Sequence, residues 1–235
     1  MQLLDIIYED GGLLVVNKPA GLVCHPTKGD AFSSLISRVR LYLGAEAFLV
    51  NRLDRETSGV TVVAKSSAAA GELGKLWEGR AVRKEYLAIV HGAVRGDSGS
   101  IDLALGKDEK SRIAVKDCVR PDGAPARTDY FVERHFRRGG RDFSWLRLRP
   151  LTGRKHQIRI HLAAIGHTIV GDKLYGGDED LYLALVQDRL TARQWEELML
   201  PNHALHAACV AWTRRCVEQE FRAPPNAAFT AFAVT

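Results

Sequence analysis

Apolar positions along this chain switch between a period of two and a period near 3.6, and the switches mark out its elements. Ile6 to Val16 reads as a hairpin, with Glu9-Asp10-Gly11-Gly12 as its turn and Leu13-Leu14-Val15-Val16 as its second strand. Asn17-Lys18-Pro19-Ala20-Gly21 reads as a turn, because proline cannot donate to a ladder and glycine frees the backbone. Phe32, Leu35, Ile36, Val39 and Leu43 fall on one helical face, with Asp30 as a cap and Gly44 as the stop. Val60, Val62 and Ala64 alternate as a strand, and a helix follows over 67–79. Strands are predicted over 83–91, 111–116, 126–134 and 142–150, the last two flanking a basic tip, Arg137-Arg138-Gly139-Gly140-Arg141. Thr152-Gly153 is a turn into a short helix that carries Ile158, Leu162 and Ile165 on one face and stops at Gly166. Thr191 and Gln194 form a capping-box pattern for a helix over 192–198, and a hairpin closes the chain over 205–222. Helices and strands are mixed without regular βαβ alternation, which predicts an α+β fold whose central sheet is mixed, largely antiparallel, with flanking helices.

Composition narrows this picture without changing it. The 235 residues suit one domain or two lobes sharing a sheet, and 46% hydrophobic with 26% charged residues is ordinary for a globular chain. The net charge of +5 favours a polyanionic partner. Cys24, Cys118, Cys209 and Cys216 are scattered and fit reduced thiols. The start, Met-Gln-Leu-Leu-Asp, has no basic region followed by an apolar run, and no apolar run nears the ~18 residues of a membrane helix, so a cytoplasmic chain is expected.

Three segments carry candidate chemistry. In Asn51-Arg52-Leu53-Asp54-Arg55-Glu56-Thr57-Ser58-Gly59 a carboxylate sits between two arginines, which keep it ionised and available as nucleophile or base. Taken alone, such a pair on a surface loop is common and weakly stabilising. Arg154, Lys155 and Arg159 gather at the start of the short helix, where cations and a helix N-terminus suit phosphate or a carboxylate, although three solvated charges would look the same. Arg159 can lie at the edge of the buried face and reach a partly buried carboxylate. Arg83-Lys84-Glu85-Tyr86-Leu87-Ala88 is a strand whose Tyr86 could stack on a flipped base or simply fill the core. His203-x-x-His206-x-x-Cys209 lacks a fourth ligand, and His156 and His161 are five apart rather than four, so metal binding is not expected. Glycine-rich phosphate loops are absent.

In order along the chain, these segments resemble the RluA-like family of RNA pseudouridine synthases. The resemblance rests on Lys18-Pro19-Ala20-Gly21, on Arg52-Leu53-Asp54-Arg55-Glu56-Thr57-Ser58-Gly59 and on Lys84-Glu85-Tyr86-Leu87-Ala88. It continues through Thr152-Gly153-Arg154-Lys155-His156-Gln157-Ile158-Arg159-Ile160-His161-Leu162 with Gly166, Gly171-Asp172 and Tyr175-Gly176, and ends at Leu205-His206-Ala207. Asn51 stands where many members carry histidine, and Ala211-Trp212-Thr213-Arg214 replaces a common F-x-H-P. The resemblance implies a single catalytic domain over 1–235, without the N-terminal RNA-binding domain of many relatives, that converts uridine in structured RNA to pseudouridine without cofactor or metal. It implies Asp54 as the catalytic carboxylate, with Arg159 as its cationic partner and Tyr86 stacked on the uracil. The same resemblance puts Arg52 at the flipped nucleotide and makes Arg55, Arg154, Lys155, His156 and Gln157 RNA contacts, with the Arg137–Arg141 tip as a further phosphate contact. Attack on ribose, addition to the uracil ring and removal of a ribose proton each require an ionised Asp54. Ribosomal and transfer RNA stem-loops both suit such a chain, with a monomer as the default and no obligate protein partner. Two other classes compete: a non-catalytic RNA binder, which has no use for Asp54, Tyr86 and Arg159 together, and a glycoside hydrolase, which normally needs two carboxylates flanking the bond.

Overall fold

A computed structural model describes residues 3–26, 33–214 and 216–234. In chain order its elements are β1 (Ile6–Glu9), β2 (Leu13–Lys18), α1 (Leu35–Leu43), β3 (Phe48–Leu49), β4 (Ser58–Ala64), α2 (Ser67–Glu78), β5 (Val82–His91), β6 (Ser98–Asp102), β7 (Leu105–Lys107), β8 (Asp117–Val119), β9 (Arg127–Arg138), β10 (Arg141–Pro150), α3 (Gln157–Ala164), α4 (Glu179–Val186), α5 (Ala192–Leu198), β11 (Leu205–Arg214), β12 (Val217–Arg222) and α6 (Ala227–Phe232). The chain divides into two compact units, Met1–Glu85 with His206–Asn226, and Tyr86–Leu205 with Ala227–Thr235.

In the first unit the strand order is β1-β2-β4-β11, with β3 on β4 and β12 on β11. β4 and β11 run parallel, whereas β1/β2, β2/β4, β3/β4 and β11/β12 are antiparallel. Alternation along β2 and β4 feeds two cores. Leu13, Val15, Val60, Val62 and Ala64 pack with Leu73 of α2, while Leu14, Val16 and Val63 pack with Leu35, Ile36 and Val39 of α1. Both faces being covered, every residue of β4 is buried, and each fully buried valine there contributes on the order of 1.5–3 kcal/mol. Ser34 caps α1 by accepting from the Ser37 amide, and Gly44 ends it in the left-handed region. The expected cap Asp30 and the face residue Phe32 lie outside the described residues.

In the second unit the order is β5-β10-β9-β6, antiparallel throughout, with β7/β8 as a separate ladder. One core joins Ala88, Val90, Leu146 and Leu148 to Ile158 and Leu162 of α3. The capping box at Thr191 and Gln194 opens α5 as the pattern predicts. The strand predicted over 111–116 is not formed: only Ile113 of its apolar residues is buried, and the segment is pinned by side chains. Glu179 of α4 accepts from Lys116 and from the Arg112 amide, and Lys116 foremost, then Ser111 and that amide, hold its carboxyl down to about 2. The short strand β8 comes just after, at 117–119. The mixed, largely antiparallel sheet with flanking helices is the α+β architecture expected. None of the described helices is long and apolar enough to cross a membrane.

Candidate active site

Asp54 lies half-buried in the loop between β3 and β4. Backbone carbonyls and one buried cation build that loop. Lys18, at the end of β2, is fully buried, and its ammonium donates to the carbonyls of Pro19 (3.0 Å), Leu22 (2.7 Å) and Arg55 (3.1 Å). The Arg55 carbonyl also accepts from the Gly21 amide, and Arg55 Nε returns a bond to the Gly21 carbonyl. Gly21 has φ +88°, which a side chain would strain. The turn 19–22 and the loop 53–57 are thus stapled together. Burial pulls the Lys18 ammonium down to about 8, and the nearby Asp54 carboxylate opposes that shift. The role of Lys18 escapes a sequence reading because its partners are carbonyls up to 37 residues away.

The remaining neighbours also position backbone. Cys24 Sγ contacts both the amide and the carbonyl of Leu53 at 3.4 Å. The Asn51 amide accepts from Val62 N (2.7 Å) and donates to the Val60 carbonyl, so this departure from the family pattern clips the loop onto β4. Arg52 and Arg55 have exposed side chains. Past the loop, Ser58 Oγ lies 2.9 Å from His206 Nδ1. His206 Nε2 donates to the Ala223 carbonyl, so Nδ1 is the acceptor of the Ser58 proton. Burial holds this ring below the usual histidine range. Gly59 is required by its φ of +115° and by the Ala207 backbone, which a Cβ would approach to 2.2 Å.

In the second unit Tyr86 lies half-buried on β5, opposite Leu148, and packs on the core beneath α3. Arg159 of α3 is buried and forks onto Asp172, with Nε to Oδ2 at 2.7 Å and Nη2 to Oδ1 at 2.8 Å. Asp172 Oδ1 also accepts from the amides of Leu174 and Tyr175. Burial alone would push the Asp172 carboxyl up, but Arg159 and these amides outweigh it and hold it well below the carboxylate range. The Arg159 guanidinium lies 5.0 Å from the Tyr175 ring centroid. Tyr175 Oη accepts from the Asp117 amide and sits 2.9 Å from His156 Nδ1. Burial raises the Tyr175 phenol above its usual value, and the tautomer of His156 decides which of the two groups donates.

These are the motifs of one family. A sequence model described as RNA pseudouridylate synthase matches residues 12–164. The chain belongs to the RNA pseudouridylate synthase family. Among its pseudouridylate synthase relatives, ribosomal large subunit pseudouridine synthase D of Yersinia pestis is 40% identical over 74% of this chain and 53% of its own length. The protein of the same name from Vibrio cholerae is 36% identical over 94% of this chain and 67% of its own length. The chain spans about half the length of several curated relatives it matches. Human RNA pseudouridylate synthase domain containing 1 shares the fold at a TM-score of 0.75, with 28% identity over 96% of this chain and 85% of that one.

Several residues marked as RNA contacts have other work in the structure. Gln157 is buried: its Oε1 accepts from Thr152 Oγ1 and Arg154 N, and its Nε2 donates to Arg127 O and Thr128 Oγ1, so it clamps the turn that enters α3. His156, in the left-handed region, turns its ring onto Tyr175. Lys155 pairs with Asp117 at 2.9 Å while staying half exposed, and Arg154 donates to the Pro125 carbonyl from an exposed position. At the basic tip, Arg137 pairs with Asp142, and Arg138 donates to the carbonyls of Ala231, Phe232 and Val234 at the end of α6. Half of that tip therefore secures a helix terminus. Among the described residues no three His, Cys, Asp or Glu side chains gather as a metal site.

Proposed function

We propose that this chain isomerises uridine to pseudouridine in structured RNA in the cytoplasm. Asp54 is the catalytic carboxylate, Tyr86 the platform under the flipped uracil and Arg159 the countercharge for that carboxylate. The bond between N1 and C1′ breaks, C5 joins C1′, the C5 proton leaves and N1 gains one, so the product is an isomer and no cofactor is consumed. The observation that carries this reading is the loop 51–59, in which Asp54 is only half-buried while a buried lysine, a thiol and the 19–22 turn hold the backbone around it. Extracting the target base from its stack takes a few kcal/mol, which exposed Arg52 and Arg55 help to supply through the backbone of the RNA. The names of the relatives favour large-subunit ribosomal RNA as the first substrate to try.

The test is release of tritium from RNA labelled at uracil C5, with Asp54→Asn as control. Release by the wild type and none by the variant, at equal RNA binding, is the expected outcome. Release unaffected by the substitution removes Asp54 from the reaction. Binding with no release from any cellular RNA leaves a non-catalytic binder.

A further inference from the structure

Strand alternation gives the β5-β10-β9 sheet two chemically different faces. Tyr86, Ala88, Leu146 and Leu148 point toward α3. Leu87, Trp145 and Arg147 point the other way, with Arg147 opposite Leu87 on one side and Phe131 on the other. On this reverse face an open groove of about 480 Å³ is lined by Leu87, Glu133, Arg134, Trp145 and Arg147. Guanidinium groups lie over rings along it: Arg134 is 5.3 Å from the Trp145 centroid, and Arg147 and Arg149 are 4.5 and 5.3 Å from that of Phe131. Stacking pre-organises each planar fork, so less side-chain freedom is lost when it meets a phosphate. Arg134 is also fixed by its bond to the Ala233 carbonyl, and Arg147 Nε donates to Glu133. Two guanidiniums, Arg134 and Arg147, line the groove with the one carboxylate of Glu133, and Arg149 lies beyond them, opposite Asp129 on β9, so cations exceed carboxylates by one along a floor of Leu87 and Trp145.

We propose that this reverse face is a second RNA-binding surface, which takes a single-stranded segment flanking the structured target. It rests on the RNA substrate proposed above but not on the chemistry, because Tyr86 occupies the opposite face. Phosphates lie against Arg147 and Arg149, and unstacked bases lie on the apolar floor without sequence readout.

The probe is a fluorescein-labelled 12-nucleotide oligoadenylate, which contains no uridine to convert, read by anisotropy over a salt series. Arg147→Gln with Arg149→Gln weakens binding by about tenfold and flattens the salt slope by roughly 1.4, two single-strand phosphate contacts at ~0.7 each. Asp54→Asn binds the probe as the wild type does. Glu133→Gln, which removes only the carboxylate, tightens binding about threefold and serves if the double variant fails to fold. In conversion assays the double variant raises KM for a stem-loop with single-stranded flanks and leaves the bare stem-loop unaffected, at unchanged kcat in both. Unchanged probe affinity and slope in the double variant, or Glu133→Gln without effect, overturns the surface. So does arginine-dependent binding of a poly-glutamate peptide where oligoadenylate does not bind. A wild type that releases no tritium overturns the proposed activity and leaves the oligoadenylate result readable by itself.

Discussion

The loop around Asp54 and the turn into α3 are held by opposite strategies. The first is organised through backbone: Lys18, Cys24 and the Gly21 turn all bond main-chain atoms of residues 53–55, and Asp54 between them is half-buried. The second is organised through side chains: Arg159 and Asp172 lock each other in the interior, and Gln157 uses its whole amide to brace residues 152–154 from β9. A reactive group and a fixed cation have different requirements. Under the proposed function the Asp54 carboxylate meets a substrate, and the main chain on either side of it is held by Lys18, Cys24 and the Gly21 turn. The arginine must not move, so it is buried against a partner of its own.

Substitutions break that comparison in order of effect. Asp54→Asn takes tritium release to background while the thermal midpoint stays within a degree or two of wild type; a large drop in the midpoint would mean that the carboxylate also supports the fold. Asp172→Asn leaves Arg159 without its buried counter-ion and destabilises by about 3–5 kcal/mol, measured by urea unfolding. Replacing both, Arg159→Met with Asp172→Leu, recovers most of that stability but not conversion, since an apolar pair can stand in for a buried ion pair in packing only. Recovery of activity in the double variant would reduce Arg159 to a structural role. Lys18→Met leaves buried carbonyls unsatisfied and relieves a buried charge, so the net loss is smaller, about 1–3 kcal/mol, with conversion falling further than stability accounts for. The last test reads the pH dependence. The unfolded chain keeps the Lys18 proton to about 10.4, whereas the folded chain releases it near 8. Between those values the unfolded state binds more protons, so wild-type stability rises with pH relative to Lys18→Met. A difference that stays flat from pH 7 to 10 removes the buried-charge reading of Lys18.

The elements that could be read in advance are those whose signal is local. The hairpin of β9 and β10 follows from alternation around Gly139-Gly140, and α5 from its capping box. Residues 111–116 mislead because alternation there has no sheet to join, and Glu179 binds the segment instead. Among site residues the motif positions were legible as types. Gln157 was not legible as a clamp, nor His206 as the acceptor for Ser58, 148 residues away.

By itself, the sequence determined the family, the α+β class and the placing of Asp54, Tyr86 and Arg159 in motif segments, because composition, periodicity and ordered motifs are properties of a linear string. Tertiary structure alone decided which of the flanking charges bear on the fold. Lys18 became a buried staple, Asp172 the partner of Arg159, and Arg138 the cap of α6. Those assignments depend on distances between residues far apart in the chain and on the removal of water around them, and neither quantity is written in local spacing.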